Sequence, residues 1–502
     1  MKIDEKHRRD VLTGNLWKVV IVVTAPLFLY QLISQFYNLI DQSMVSTISS
    51  QSVAAVASIS QIKNLLSSLG GGLAAGGAIL VARSYGAGDI VKARKNANVV
   101  FSLALIVSLI MLLLMPFSNY ILTLSKVPED LISISTSYFR LQLIELGIIL
   151  FNSIFIALER AKCNTKIIFI GNILIMIVKI CLNVLFIYGF KVTNLMYIEI
   201  ASIISQLSMF GIGCFYLFGK NNIFRITFKE LSLKWEYVKR IIIISFPLFL
   251  GKFVFSLGKV TVNAMCGVYG SLTVGALGLS NNICGVVTSP FLTFEDTTSA
   301  IVSQNLGNKN MKRCLKAFFV SCVYIAIWAV VGFLCVRVFF QDEIISLFNL
   351  KNDSAEFALM IKDIFYYDCL TIPALAFNTA ILGILYGYGQ TVLATINNFL
   401  RIAIRIGVLW FLQTFHLEIG HEAAGISMGI SNIAIAIIAI IFLLLFLLKV
   451  RIKGYKGMKF SDPEPEMVEI DGILINKKEL KKDENTNSKW KNRIWSFNRR
   501  TI

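Results

Sequence analysis

Nowhere does the chain carry the Gly-x-x-x-x-Gly-Lys-Ser/Thr run that cradles nucleotide phosphates. Its one glycine-rich turn, YGAGD at 85–89, has no lysine ending. An ATP-driven motor of that kind is excluded, so any transport would draw on an ion gradient or on the substrate's own gradient. Histidine is scarce, three in 502 residues, and the nine cysteines are scattered without a Cys-x-x-Cys pair. No metal or redox framework stands out, and the cysteines, mostly inside apolar stretches, read as small apolar side chains. His416 and His421 sit with Glu418 and Glu422 in HLEIGHE, which reads as a wet external loop. The acids lie on separate stretches without a recognisable nucleophile–base spacing, which argues against an enzyme. Charge is thin as well: 16% of residues are charged against 56% hydrophobic, with a mean hydropathy of +0.70. A soluble domain is excluded.

What is present is apolar sequence in lengths that cross a bilayer, about 20 residues each. About twelve such stretches lie near 19–40, 54–80, 97–116, 133–157, 166–188, 195–218, 240–265, 271–300, 315–340, 360–385, 392–412 and 423–449. The expectation is an all-α integral membrane protein of about twelve transmembrane helices. The net charge of +18 collects in alternate loops: Arg8 and Arg9; Arg83, Lys92, Arg94 and Lys95; Arg160, Lys162 and Lys166; residues 220–240; and Lys309, Lys312, Arg313 and Lys316. The intervening loops carry Glu129 and Asp130, then Asp342, Glu343, Asp353 and Glu356, then Glu418 and Glu422. That is the positive-inside pattern rather than a nucleic-acid patch. It predicts a multi-pass protein of the cell membrane with both termini in the cytoplasm.

The halves repeat. Pro26 in TAPLFL matches Pro247 in SFPLFL, 221 residues on, and Gly86 matches Gly307 at the same offset. Residues 161–179 align with 387–405, pairing Asn172 with Asn398 and Lys179 with Arg405. A near-constant offset is the mark of duplication. Six spans lie between the repeats, which predicts two six-helix lobes of the same orientation about a pseudo-twofold axis along the membrane normal. The expected units are a cytoplasmic segment 1–18, an N-lobe 19–218, a cytoplasmic linker 219–239, a C-lobe 240–449 and a basic tail 450–502. The tail has too few apolar residues for a core and reads as disordered, while Trp490 and Trp495 among its basic residues also suit docking on anionic lipid.

The first span carries Pro26, a polar row at Gln31, Gln35 and Asn38, and one acid, Asp41. At about 1.5 Å per residue, Pro26 and Asp41 are about 22 Å apart, and Gln31, Asn38 and Asp41 share roughly one side of the helix. An acid near the hydrocarbon layer costs several kcal/mol unless it faces a wet cavity, a cation or a partner. Asp41 is thus either a hydrated group at the span's outer end or an ion- or proton-binding carboxylate. In span two, Gly72 and Gly76 suit close helix packing.

These residues carry a likeness. LVARSYGAGDIVKA after span two, its echo IVSQNLGNKNMKR after span eight, Pro26, Asp41 and the 6+6 arrangement resemble the multidrug and toxic compound extrusion (MATE) family. That family belongs to the multidrug/oligosaccharidyl-lipid/polysaccharide flippase superfamily, and the likeness covers about residues 15–450. It implies antiport of an organic solute against protons or sodium ions, with Asp41 as the cation site and the Pro26 helix bending as the site changes state. Where members often carry an Asn-xxx-Asp pair on span five, this chain reads Lys179-xxx-Asn183. A lysine beside Asp41 would act as a tethered cation in the place of sodium and lower the carboxylate's proton affinity; snorkelling to an interface is the alternative. Glu145, the acid of span four, is expected to neutralise Lys179 or Arg140 if it does not serve the ion.

In the second half, Lys252, Ser256 and Lys259 occupy span seven, Asp363 and Asp368 span ten, and Arg401 and Arg405 span eleven. In-span cations outnumber acids, which predicts a cavity suited to anionic or zwitterionic amphiphiles. Coupling is expected from Asp41, Glu145, Lys179 and Asn183. Substrate contacts are expected from Gln31, Gln35, Asn38, Lys252, Ser256, Lys259, Asp368 and Arg405. The expected partners are a small organic solute and the bilayer, without nucleic acid; no metal and no cofactor beyond H+ or Na+ is expected, and the protein reads as a monomer. A flippase for lipid-linked saccharide is the competing reading.

Overall fold

A computed structural model describes residues 2–46, 50–124, 129–190, 194, 196–220, 222–227, 231, 233–339, 355–470 and 473–477. A short helix α1 (Lys2–Thr13) precedes an N-lobe of α2 (Leu16–Ser46), α3 (Ser50–Gly86), α4 (Ile90–Leu113), α5 (Ser118–Leu124), α6 (Glu129–Ala161), α7 (Thr165–Val184) and α8 (Met196–Phe218). The C-lobe holds α9 (Trp235–Cys266), α10 (Ser271–Gly307), α11 (Met311–Phe333), α12 (Ala355–Leu370), α13 (Ile372–Tyr388), α14 (Thr391–Phe415) and α15 (Glu422–Lys453). Eleven segments of the described residues are long and apolar enough to cross a membrane, α4 running on through α5. Helices α12 and α13, bent by 46° at Thr371, are long and apolar enough together to count as a twelfth candidate span. Pro373 near the start of α13 has no N–H to continue the helical ladder there. Each lobe has its own aromatic core, Phe101, Phe151 and Phe155 in one and Phe291, Phe294 and Phe365 in the other.

The repeated motif turns out to be a helix–turn–helix corner used twice. After α3, Gly88 takes a left-handed φ of 81° and Asp89 caps α4 by accepting from the Lys92 amide at 3.0 Å. After α10, Lys309 takes the left-handed φ of 60° and Asn310 caps α11 by accepting from the Arg313 amide at 3.0 Å. The first copy uses glycine where that conformation is free; the second carries a lysine, at about 1–2 kcal/mol.

The lobes meet along α3 and α9, with α10 lying on α2 and α3. A Cβ built at Gly72 would fall 2.6 Å from the Phe249 Cα, and one at Gly76 2.7 Å from the Ser245 Cα. The expectation of close packing at these glycines is met. At the end that carries α1 the approach tightens to backbone on backbone. Gly86 abuts the carbonyl of Gln304 and Gly307 the carbonyl of Arg83, each with no room for a methyl group.

The expectation of disorder from residue 450 onward is corrected as far as residue 477. A hairpin of β1 (Met467–Ile470) and β2 (Ile473–Asn476) pairs antiparallel, Met467 with Asn476 through Ile470 with Ile473. Ile475 and Asn476 are buried. Physically, a stretch too poor in apolar residues to build a core still folds when an existing surface supplies one. Arg8 donates to the Leu474 carbonyl, Arg9 pairs with Glu469 at 2.6 Å, and Asn476 donates to the Asn308 carbonyl at 3.3 Å. Helix α1 itself straddles the seam. Tyr85 donates to the Asp4 carbonyl at 2.7 Å from the N-lobe, and Arg313 donates to the carbonyls of Val11 and Gly14 from the C-lobe. Residues 478–502, with Trp490 and Trp495, lie outside the described residues.

Candidate functional site

Three groups of charged side chains sit inside the bundle. The first lies just beyond the sealed seam. Arg160 of α6 pairs with Asp296 of α10 across the lobes, and Lys252 of α9 reaches toward Gly71 of α3. With Glu295, Ser299 and Tyr386 they line a cavity of about 30 Å³, space for about one water. Nearby, Thr24 of α2 bonds Thr297 at 2.9 Å and Gln35 donates to Ser289 at 2.7 Å, so the first span is tied to α10 at two levels. Arg160 and Asp296 stay 20% and 38% exposed. A double-mutant cycle on Arg160→Gln and Asp296→Asn is therefore expected to give a coupling of about 0.5–1 kcal/mol in thermal stability. Zero coupling would remove this pair from the seal.

The second group lies in the N-lobe. Lys63 of α3 pairs with Glu145 of α6, and Glu199 of α8, itself buried, lies against the Glu145 carboxyl. Lys179 of α7 stands 5.7 Å from the ring centre of Tyr37 on α2 and within electrostatic reach of Lys63 and Glu145. One helical turn on, Asn183 is buried.

The third group lies at the middle of the C-lobe. Arg401 and Arg405, one turn apart on α14, both donate to the Asn432 amide oxygen, at 2.9 and 3.0 Å. Arg405 also donates to Ser431 at 3.0 Å. The other end of the same amide donates to Asp368 at 3.2 Å and to Thr371 at 2.9 Å. Asp368 thus meets the guanidinium groups through an amide. Lys259 and Arg401 each lie 5.0 Å from the ring centre of Phe255.

The MatE family profile matches residues 26–185 and 247–411, one block in each lobe and together more than half of the chain. The chain belongs to the MatE family. This MATE protein is a multi-pass membrane transporter, not an enzyme. It is 21% identical over 352 residues to the probable multidrug resistance protein YoeA of Bacillus subtilis (strain 168), covering 68% of this chain and 75% of that one. Its fold is shared with a MOP superfamily transporter from Pyrococcus furiosus described for the reverse polarity of its binding pocket, at 18% identity and a TM-score of 0.82. A multidrug resistance MATE transporter solved in an outward-facing conformation superposes equally well, again 18% identical with a TM-score of 0.82. Each alignment covers 88% of this chain and 98% of the other.

Set against this geometry, several sequence expectations for the MATE protein change. Glu145 pairs directly with Lys63, a partner outside the sequence expectation, with Lys179 within electrostatic reach. Lys63 lies in span two among Gln61, Asn64 and Ser67, and nothing in its spacing points to Glu145. Asp363 is 41% exposed and pairs with His421 at 3.0 Å, apart from Asp368 and the arginines. The excess of cations over acids along the spans is not general, since Glu199, Glu295 and Asp296 join the acids and Lys63 and Arg160 the cations. Gln31 accepts from Ser34 at 3.3 Å, Ser256 is half-buried, and Pro26 lies inside α2. Asn38 and Asp41 belong to α2, and their side chains lie outside those described.

Proposed function

We propose that this MATE transporter is a secondary active exporter, moving a multidrug-type amphiphile, anionic or zwitterionic, outward against entering protons or sodium ions. The observation that supports this reading most is the seal. Alternating access requires one end of the lobe interface to close completely, and here it closes by the same glycine corner used twice. With both termini in the cytoplasm of a cell membrane, the closed end is the inner one and the conformation faces outward. The name of the Bacillus subtilis relative supports a multidrug-type cargo.

In this reading Asp41 is the coupling acid, with Lys179, Asn183 and Glu145 around it. The paired carboxyls of Glu145 and Glu199, facing Lys63 with Lys179 in reach, are the second candidate place for proton coupling, the two acids acting as one unit. Gln31, Gln35 and Asn38 line the solute path on one lobe and Lys252, Ser256 and Lys259 on the other, while α2 bends at Pro26. The test is efflux from proteoliposomes under separately imposed proton and sodium gradients. Asp41→Asn is expected to reduce gradient-driven efflux to the protein-free background. Efflux indifferent to both gradients and to the substitution would overturn antiport and turn attention to lipid-linked cargo.

A further inference from the structure

The three charged groups differ in their balance. In the seam, Arg160 and Lys252 face Glu295 and Asp296. In the N-lobe, Lys63 and Lys179 face Glu145 and Glu199. Among the described side chains both sets are neutral when every group is ionised. The C-lobe set is not, because Lys259, Arg401 and Arg405 face Asp368 alone among the described residues.

We infer that this C-lobe cluster is an oxyanion subsite, taking the carboxylate, sulfonate or phosphate of an organic molecule. An uncompensated double positive charge deep in a membrane protein costs several kcal/mol unless a counter-charge arrives. The local bonds leave donors free to receive one. Arg401 spends one N–H on Asn432, and its Nε is buried with no hydrogen-bond partner among the described residues. A guanidinium offers five donors in a planar fork that matches an oxyanion. Lys259 is exposed, and among the described residues its ammonium makes neither an ion pair nor a hydrogen bond; it stands beside the Phe255 ring, within electrostatic reach of Arg401, Arg405 and Asp368.

Asn432 explains why the cations persist. Its amide oxygen takes both arginines and its nitrogen takes Asp368 and Thr371, which fixes the two guanidinium groups in place without ion-pairing them to the acid. An arginine salt-bridged to Asp368 would have its fork filled. Here the acid moderates the field and leaves the fork available. Phe255, shared by Lys259 and Arg401, adds an aromatic surface for a flat ligand body. As cargo recognition, the inference rests on the export reading above; as a binding site, it stands apart from it.

The full chain in phosphatidylcholine nanodiscs is titrated with fluorescein, an aromatic carboxylate, and with ethidium, a cation of similar size, and binding is read by fluorescence anisotropy without any gradient. Fluorescein is expected to bind, with its Kd raised about tenfold by Lys259→Gln and about a hundredfold by Lys259→Gln with Arg401→Gln, each lost charge-assisted contact being worth roughly one tenfold step. Lys259→Arg is expected to hold the Kd within about threefold, half a tenfold step. Unchanged thermal melting of Lys259→Gln, whose side chain makes no hydrogen bond, separates the effect from misfolding. No fluorescein binding, or a Kd unmoved by both variants, overturns the inference. Adding phosphatidylglycerol to the nanodiscs distinguishes the source of the oxyanion. Competition that disappears in Lys259→Gln assigns the subsite to a lipid phosphate, and its absence assigns it to a soluble anion. Gradient-driven ethidium efflux without fluorescein binding would sink the subsite and leave the exporter. Binding without any coupled efflux would do the reverse.

Discussion

Gly86→Val and Gly307→Val are each expected to stop the lobes from sealing. At both positions a side chain would meet a backbone carbonyl of the opposite lobe, closer than the 3.0 Å that Cβ atoms keep. Flexible side chains nearby cannot absorb the clash, because the neighbours are the main chains of α3 and α10 at Arg83 and Gln304. Overpacking of this kind costs about 1–3 kcal/mol where only side chains must move, and a backbone collision lies at the upper end. A bias of that size changes the ratio of sealed to unsealed molecules by roughly 10- to 100-fold. Hydrogen exchange of the peptides covering 83–90 and 302–310 is the direct measurement, with faster exchange expected in both, together with loss of efflux in proteoliposomes. Alanine should act in the same direction and less strongly. Wild-type exchange and efflux in either valine variant would mean that the seam has slack the geometry does not show.

Arg8→Ala is the second large effect. The Arg8 side chain is fully buried, pairs with Glu5 at 3.3 Å, lies 5.6 Å from the Tyr85 ring centre, and donates to carbonyls of both Gly86 and Leu474. No other described side chain touches α1, the glycine corner and the hairpin together in this way. Its removal leaves two buried carbonyls and a carboxylate without their donor, at about 3 kcal/mol. The β1–β2 strands are expected to exchange roughly a hundredfold faster in consequence. Arg9→Ala, which breaks only a half-exposed pair with Glu469, should change the same exchange by about twofold or less. Equal effects from the two would show that the hairpin is held by its charged rim and not by Arg8.

Much of this architecture is legible in the sequence because it rests on local quantities. Apolar runs of bilayer length give the spans, and the shared offset of Pro26 with Pro247 and Gly86 with Gly307 gives the two lobes. The charged groups are harder for a physical reason. Lys63, Glu145 and Glu199 lie on α3, α6 and α8, and nothing in their spacing says they meet. Glu295 and Asp296 do stand out as adjacent acids in an apolar run and were open to the same argument that singles out Asp41. The role of Asn432 is invisible until the fold brings α12, α14 and α15 together, since a lone asparagine in a span has many uses. The hairpin had a signal that composition hides: MVEI and ILIN flank Asp471-Gly472, a dipeptide that favours two-residue hairpin loops. The surface that stabilises it comes from α1, more than 450 residues earlier in the chain.

That surface has a mechanical consequence. A body fixed to another at one point can swivel in any direction; fixed at two points, it turns only about the line through them. The lobes are joined covalently through residues 219–234 and again, without a covalent bond, through the stitch of α1 and the hairpin over the seam. Both attachments lie at the same end of the bundle. They oppose twist and slide of one lobe on the other, and in an alternating-access cycle this stitch has to give before the sealed end can open. Helix α1 and the β1–β2 hairpin therefore act together as a clasp across the lobes.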